Sequence, residues 1–320
     1  MKFFPLALVA TLLLAIGSLF VGVTDISLST LMADTGESGA QAVLVASRIP
    51  RTIALFLAGC GMAVCGVIMQ IIMRNRFVEP STAGTVEAAR LGILGVLLLA
   101  PDMPILLRML VVAACAMAGT LLLLGILQRV PLRSPVMVPL LGIMLGAILS
   151  SVATFIAYRY DLTQAIMAWT SGDFSMVLRG RYEILWLSAA LVVLAYLMAD
   201  QFTIAGLGES FAVNLGLNYR RAVYCGLGVV AMVTASVVVT VGIVPFVGLI
   251  VPNVVSLIAG DHLRRTLPWT ALCGSALLLV CDIFGRMINP PFEIPVGTVL
   301  GILGGVFFLF LLVRRPPGVA

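Results

Sequence analysis

Long apolar stretches alternate along this chain with short breaks of polar residues, proline or glycine. A span of roughly 20 apolar residues, rising 1.5 Å per residue, crosses the hydrocarbon of a bilayer. The breaks divide the sequence into ten pieces of about that length: residues 4–23, 52–73, 84–100, 105–127, 137–158, 184–200, 222–241, 244–259, 268–286 and 296–313. Helices are required, because backbone facing lipid must satisfy its own hydrogen bonds. The short alternating segments of a β-barrel are absent. The predicted class is therefore all-α, a polytopic membrane protein of about ten transmembrane helices. It is expected to form a single transmembrane domain over residues 1–320, since no loop exceeds about 28 residues and none can house a soluble domain. The opening stretch has no small-x-small cleavage site and reads as a retained first helix rather than a secretory signal.

Composition agrees with the pattern: 61% of residues are hydrophobic and 10% charged, against under about half and about a quarter in soluble domains. The basic residues set the orientation. With the N-terminus inside and ten spans, the inner loops collect eleven: Lys2, Arg74, Arg76, Arg129, Arg133, Arg220, Arg221, Arg264, Arg265, Arg314 and Arg315. The outer side has seven, Arg48, Arg51, Arg108, Arg159, Arg179, Arg181 and Arg286, with Asp25, Asp34, Glu37, Asp102, Asp161, Asp173 and Glu183 beside them. Basic residues gather on the cytoplasmic side, so both termini are expected there. The net charge of +5 is then a matter of topology, and no basic stripe with interleaved aromatics suggests nucleic acid.

Several chemistries are excluded by what is missing. Lys2 is the sole lysine, so no G-x-x-x-x-G-K-[ST] phosphate loop exists and the chain is no ATPase of that class. The sole histidine, His262, sits in a short inner loop, which rules out a site built of imidazoles. No serine, histidine and acid arrangement presents itself, so no catalytic residue, metal ligand or cofactor is expected on this chain. All six cysteines fall within apolar spans, where packing is the default.

The remaining polar features stand out against the apolar ground. Arg48-Ile49-Pro50-Arg51 precedes the second span, and its arginines either snorkel at the interface or meet an acidic outer partner. Glu87 and Arg90, three residues apart, can pair on one helix face; at membrane depth they form either a structural ion pair or part of a pathway. Residues 201–221 mix apolar and polar positions with glycine punctuation, which suggests two short helices on the inner surface, there for a protein partner or for lipid contact. Dense prolines and glycines in the last third imply broken helices, tolerated in membranes only against protein or a cavity.

These features, in order, resemble a known family. Arg48-x-Pro-Arg51, the Gln70 to Pro80 turn, Leu207-Gly208-Glu209 with Leu215-Gly216, Phe246-Val-Gly-Leu-Ile-Val-Pro252, Asp261-His262-x-Arg264, Asp282 with Arg286, and Glu293-x-Pro-Val-Gly297 are similar to the FecCD-type permeases. These are membrane subunits of type II ABC importers for ferric siderophores, haem and vitamin B12. The resemblance implies an inner-membrane permease working with a second permease subunit, a paralogue rather than a copy. Its other implied partners are two cytoplasmic ATP-binding subunits, which hold the ATP and magnesium, and a periplasmic or lipoprotein substrate-binding protein. It casts Arg48, Arg51 and Arg286 as docking residues for that binding protein. Leu207, Gly208, Glu209, Asn214, Leu215 and Gly216 become the segment coupled to the ATPase. Three departures stand out: Asn75-Arg76-Phe77 for Asn-Pro-Leu, Asn253 for a histidine, and Val78 to Thr85 followed by Glu87-Ala-Ala-Arg90 for a more neutral, glycine-rich stretch. The last is similar to a branch for catecholate siderophores of the petrobactin or vibriobactin type. The competing expectation is an ion-coupled secondary carrier with Glu87, Arg90 and Asp282 as coupling groups.

Overall fold

The computed structural model describes residues 4–22, 39–130 and 137–313. Lys2, Asp25, Asp34, Glu37, Arg133, Arg314 and Arg315, which entered the orientation count, lie outside them. Each of the ten apolar stretches is helical over most of its length. They give α1 (Phe4–Phe20), α2 (Ile49–Ile72), α3 (Thr85–Leu99), α4 (Ile105–Leu127) and α5 (Met137–Arg159). After the short α6 (Thr163–Thr170) come α7 (Trp186–Leu197), α8 (Ala199–Gly206) and α9 (Glu209–Asn214), then α10 (Tyr219–Val241), α11 (Val247–Ala259), α12 (Leu263–Met287) and α13 (Val296–Val313).

The spans are less equal than the hydropathy pattern suggests. Five rods can cross a membrane by length and apolarity: residues 41–72, α4, α5, α10 and α12. A sixth arises if residues 183–197 and α8 are joined across their 63° bend. Helices α1, α11 and α13 are shorter apolar helices. The short α3 and α11 have a physical cause. After α2 the chain turns at Arg74, in the left-handed region at φ 47°, and again at Gly84 at φ 73°. Between these turns it packs against the protein interior, so that Val78, Ala83 and Glu79 are buried. Irregular backbone of this kind is stable at depth only where protein covers it.

Helix α2 is the axis. Its most apolar window is 78% buried, against 28% for α5, which places α2 at the centre and α5 at the edge. Small residues make this possible, letting helices approach closely in lipid. A Cβ on Gly59 would stand 2.4 Å from the Gly274 carbonyl of α12, and one on Gly66 would stand 2.0 Å from the Gly248 carbonyl of α11. The backbones are in direct contact at both points. We expect Gly66→Val to destabilise the protein by about 3 kcal/mol or more, as overpacking against backbone does. Gly301→Ala, which meets nothing within 4 Å, should be silent; equal thermal unfolding of the two variants in detergent would contradict this packing.

Prolines leave carbonyls without partners, and the fold reuses them. Pro50 cannot donate to Ala46, whose carbonyl lies in a π-helical turn (Leu44–Arg48) and accepts the Arg179 N–H at 3.0 Å. Pro252 cannot donate to Gly248, whose carbonyl accepts Gln70 Nε2 at 3.1 Å.

Candidate functional site

At one end of α2, five charged side chains converge. Arg51, in the first turn of α2, donates from Nε at 3.0 Å and Nη2 at 2.7 Å to Asp282 Oδ1 on α12, and from Nη1 at 2.6 Å to Glu293. Arg286, one turn after Asp282, pairs with its other oxygen. Asp282 is fully shielded from solvent and thus holds two guanidiniums. Arg286 also donates to the Ser18 carbonyl at 3.0 Å, and Arg48 Nη1 to the Leu19 carbonyl at 2.7 Å. Carbonyls at a helix C-terminus lack intrahelical partners and carry partial negative charge, so these two arginines cap α1.

The three arginines expected to face a docking partner are all buried, at 7%, 8% and 7% exposure for Arg48, Arg51 and Arg286. Their guanidiniums are engaged inside the chain. Asp282, read in the sequence with Glu87 and Arg90 as a pathway or ion-pair group, forms ion pairs in this cluster and lies apart from the other two.

Glu87 and Arg90 lie elsewhere, on α3 against α5. Arg90 Nη1 donates to Ser150 Oγ at 3.1 Å, while its distance to Glu87 is 3.7 Å, beyond hydrogen-bonding reach. Glu87 Oε2 and Arg90 Nε are buried without a hydrogen-bond partner. Glu87 and Asp282 therefore form no common coupling chain, contrary to the secondary-carrier expectation.

At the opposite end of α2 lies the predicted coupling segment. A Cβ on Gly206 would touch Ile71, and one on Gly208 would strike the Arg74 guanidinium at 2.1 Å. Gly208 has φ 111°, a conformation that excludes other residues at the joint between α8 and α9. Ion pairs fix the neighbouring surface: Arg264 with Asp200, and Arg76 with Asp261 at 2.8 Å. Leu207, Phe211, Val213 and Leu215 are 56%, 63%, 58% and 63% exposed, an apolar patch of the kind that receives a partner. Glu209 opens α9 and Asn214 closes it, with Leu215 and Gly216 in the turn that follows.

One group escaped the sequence reading as a site. Glu79, fully buried, accepts the Phe246 N–H at 2.7 Å and pairs with Ser81, so its carboxylate lies at the N-terminus of α11. Negative charge is favoured there by the helix dipole. The signal was available in principle: Phe246 and the residues after it open a helix broken by Pro252, and their N–H groups need an acceptor.

A helical bundle around a buried axis, with several helices long and apolar enough to cross a membrane, a charged cluster at one end and an apolar patch at the other, is the architecture of a multi-pass membrane protein. The FecCD transport family model matches residues 8–314, and the chain belongs to that family. It is 50% identical over 304 residues to the petrobactin import system permease YclN of Bacillus subtilis, covering 95% of this chain and 96% of that one. It is 43% identical over 297 residues to the ferric-anguibactin transport system permease FatD of Vibrio anguillarum, covering 93% and 94%. A solved ABC transporter of metal-chelate type, in an inward-facing conformation, superposes with a TM-score of 0.79 at 21% identity, covering 98% and 99%. That likeness supports the fold.

Proposed function

We propose that this chain is a permease subunit of an ATP-driven importer that carries a ferric siderophore across the cytoplasmic membrane. The observation that carries this is near end-to-end similarity, at 50% and 43% identity, to two permeases whose named cargoes are petrobactin and ferric anguibactin. Energy enters at the exposed apolar patch around Phe211, where a cytoplasmic ATP-binding subunit holding ATP and Mg²⁺ docks. Movement there is passed to α2 through Arg74, which packs on Gly208. A second permease subunit, a paralogue in our reading, supplies the other wall of the pathway. The ten spans then place both termini in the cytoplasm.

A substrate-binding protein docks at the Arg51 end. Arg48, Arg51 and Arg286 build that end from inside, and Arg159, Arg179 and Arg181, counted with them on the outer side, are exposed. Reversing Arg51 would set a carboxylate against Asp282, so docking is better tested at Arg159, Arg179 and Arg181. The whole reading is tested by uptake. A strain lacking this gene should fail to grow on a ferric catecholate siderophore as sole iron source, recover with the gene in trans, and grow normally on a ferric chelate served by another importer. Undiminished growth on every purified siderophore would overturn it.

A further inference from the structure

An arginine well inside a membrane helix needs a reason, because its charge is costly there and is normally neutralised or turned toward water. Arg90 is only half accounted for. Ser150, its hydrogen-bond partner, is the fourteenth residue of the 23-residue α5, about 20 Å from the first residue at 1.5 Å per residue. The contact therefore lies near the middle of that helix. Glu87 is the nearest charge, yet at 3.7 Å it makes no hydrogen bond, and the Arg90 Nε is unpartnered. A buried structural ion pair would be closed on both sides by hydrogen bonds, as Asp282 is with Arg51 and Arg286. Glu87 and Arg90 are not so closed: their side chains keep 24% and 18% exposure. The wall beside them carries further hydroxyl groups. Ser151 and Thr154 are exposed there, with hydroxyls turned back on the Ala147 and Ser150 carbonyls. The edge helix α5 thus presents a polar strip next to a guanidinium that keeps partial exposure.

We propose that Arg90 and Ser150, moderated by Glu87, form a transit site on the α3–α5 wall for the anionic oxygen donors, catecholate or carboxylate, of a metal chelate. The inference rests on the permease reading and adds where the cargo is touched. A guanidinium matches paired anionic oxygens with its fork of donors. Glu87 reduces its net charge without blocking it, so the grip is weak. A conduction site has to bind well enough to admit its cargo and loosely enough to release it. Glu87 is the element that keeps Arg90 from becoming a trap.

Two measurements on the assembled transporter in proteoliposomes test this. In a background with the six native cysteines replaced, Ser150→Cys should react with a charged, membrane-impermeant thiol reagent, and ferric petrobactin supplied with the binding protein should slow that reaction. A Ser150→Cys protein that stays unmodified in both the nucleotide-free and ATP-bound states would place the strip in lipid or in a protein interface, and the proposal would fall. Arg90→Gln should lower ⁵⁵Fe-petrobactin uptake at least tenfold, and Arg90→Lys, which keeps the charge but not the fork, should fall between Arg90→Gln and wild type. Equal uptake by Arg90→Gln and wild type overturns the proposal. If Arg90→Gln fails to assemble because Glu87 is stranded, the Glu87→Gln/Arg90→Gln pair decides: loss of uptake supports the site and wild-type uptake refutes it. Should the wild-type transporter itself move no ferric chelate, the permease reading fails instead, and Ser150→Cys labelling still reports whether the strip faces water.

Discussion

Asp282→Ala is expected to cost about 3–5 kcal/mol of stability, the amount lost when one partner of a buried ion pair is removed and the other is stranded. Here two are stranded. Arg51 would keep only Glu293, and Arg286 only the carbonyls and hydroxyl at the end of α1. The guanidiniums would face each other across the vacated space. Asp282→Asn should recover little, since its amide keeps an acceptor for one arginine, turns a donor on the other and removes the charge that both need. Replacing the triad by apolar residues of similar size, Arg51→Met, Asp282→Leu and Arg286→Met together, should restore much of the loss, because buried ionic clusters contribute little net stability over well-packed hydrophobes. Thermal unfolding in detergent, followed by tryptophan fluorescence, reads all of these. An Asp282→Ala protein that melts within a degree of wild type would show that the cluster is not what joins α1, α2 and α12.

That cluster also shows what the sequence could and could not convey. Hydropathy and Pro/Gly punctuation located every apolar helix, because lipid imposes one period and one length on a crossing segment. They gave depth along each helix but not direction around it. Arg51 and Asp282 are 231 residues apart, and only the packing of α12 on α2 brings them together. Arg48, Arg51 and Arg286 read as outward groups because they flank apolar runs. Their burial depends on α1 ending beside them, with carbonyls that need donors. An acid inside an apolar run demands a cation at its own depth, and Arg51 sits where Asp282 needed one, so the pair was legible in principle. Glu87 and Arg90 were legible as a pair because three residues on one helix fix both direction and distance. The contact with Ser150 was not, since it depends on how α5 is rotated.

The same reasoning extends to the opposite end of α2, where the second large effect is expected. Phe211 and Leu215 are each 63% exposed, close to the bend between α8 and α9. They touch little of their own chain, so changing them should leave folding intact. Phe211→Asp with Leu215→Asp is expected to abolish capture of the cytoplasmic ATP-binding subunit and to reduce transport more than tenfold, with the melting temperature unchanged. An aromatic anchor buried at an interface commonly contributes about 2 kcal/mol or more, and each 1.4 kcal/mol is about a factor of ten in affinity. Two charges placed in that contact add desolvation to the loss. Glu209→Gln, which alters charge beside the patch but not its apolar surface, should be mild by comparison. Were the double variant to co-purify with the ATPase at wild-type stoichiometry, force would have to enter elsewhere. The surface beside the patch carries the Arg76–Asp261 and Arg264–Asp200 pairs, and exposed pairs of this kind are worth too little to carry a power stroke. On the proposed function the apolar patch is therefore where a partner's movement would be gripped, with Arg74 and Gly208, which are in contact, the short path from it into the axis of the bundle.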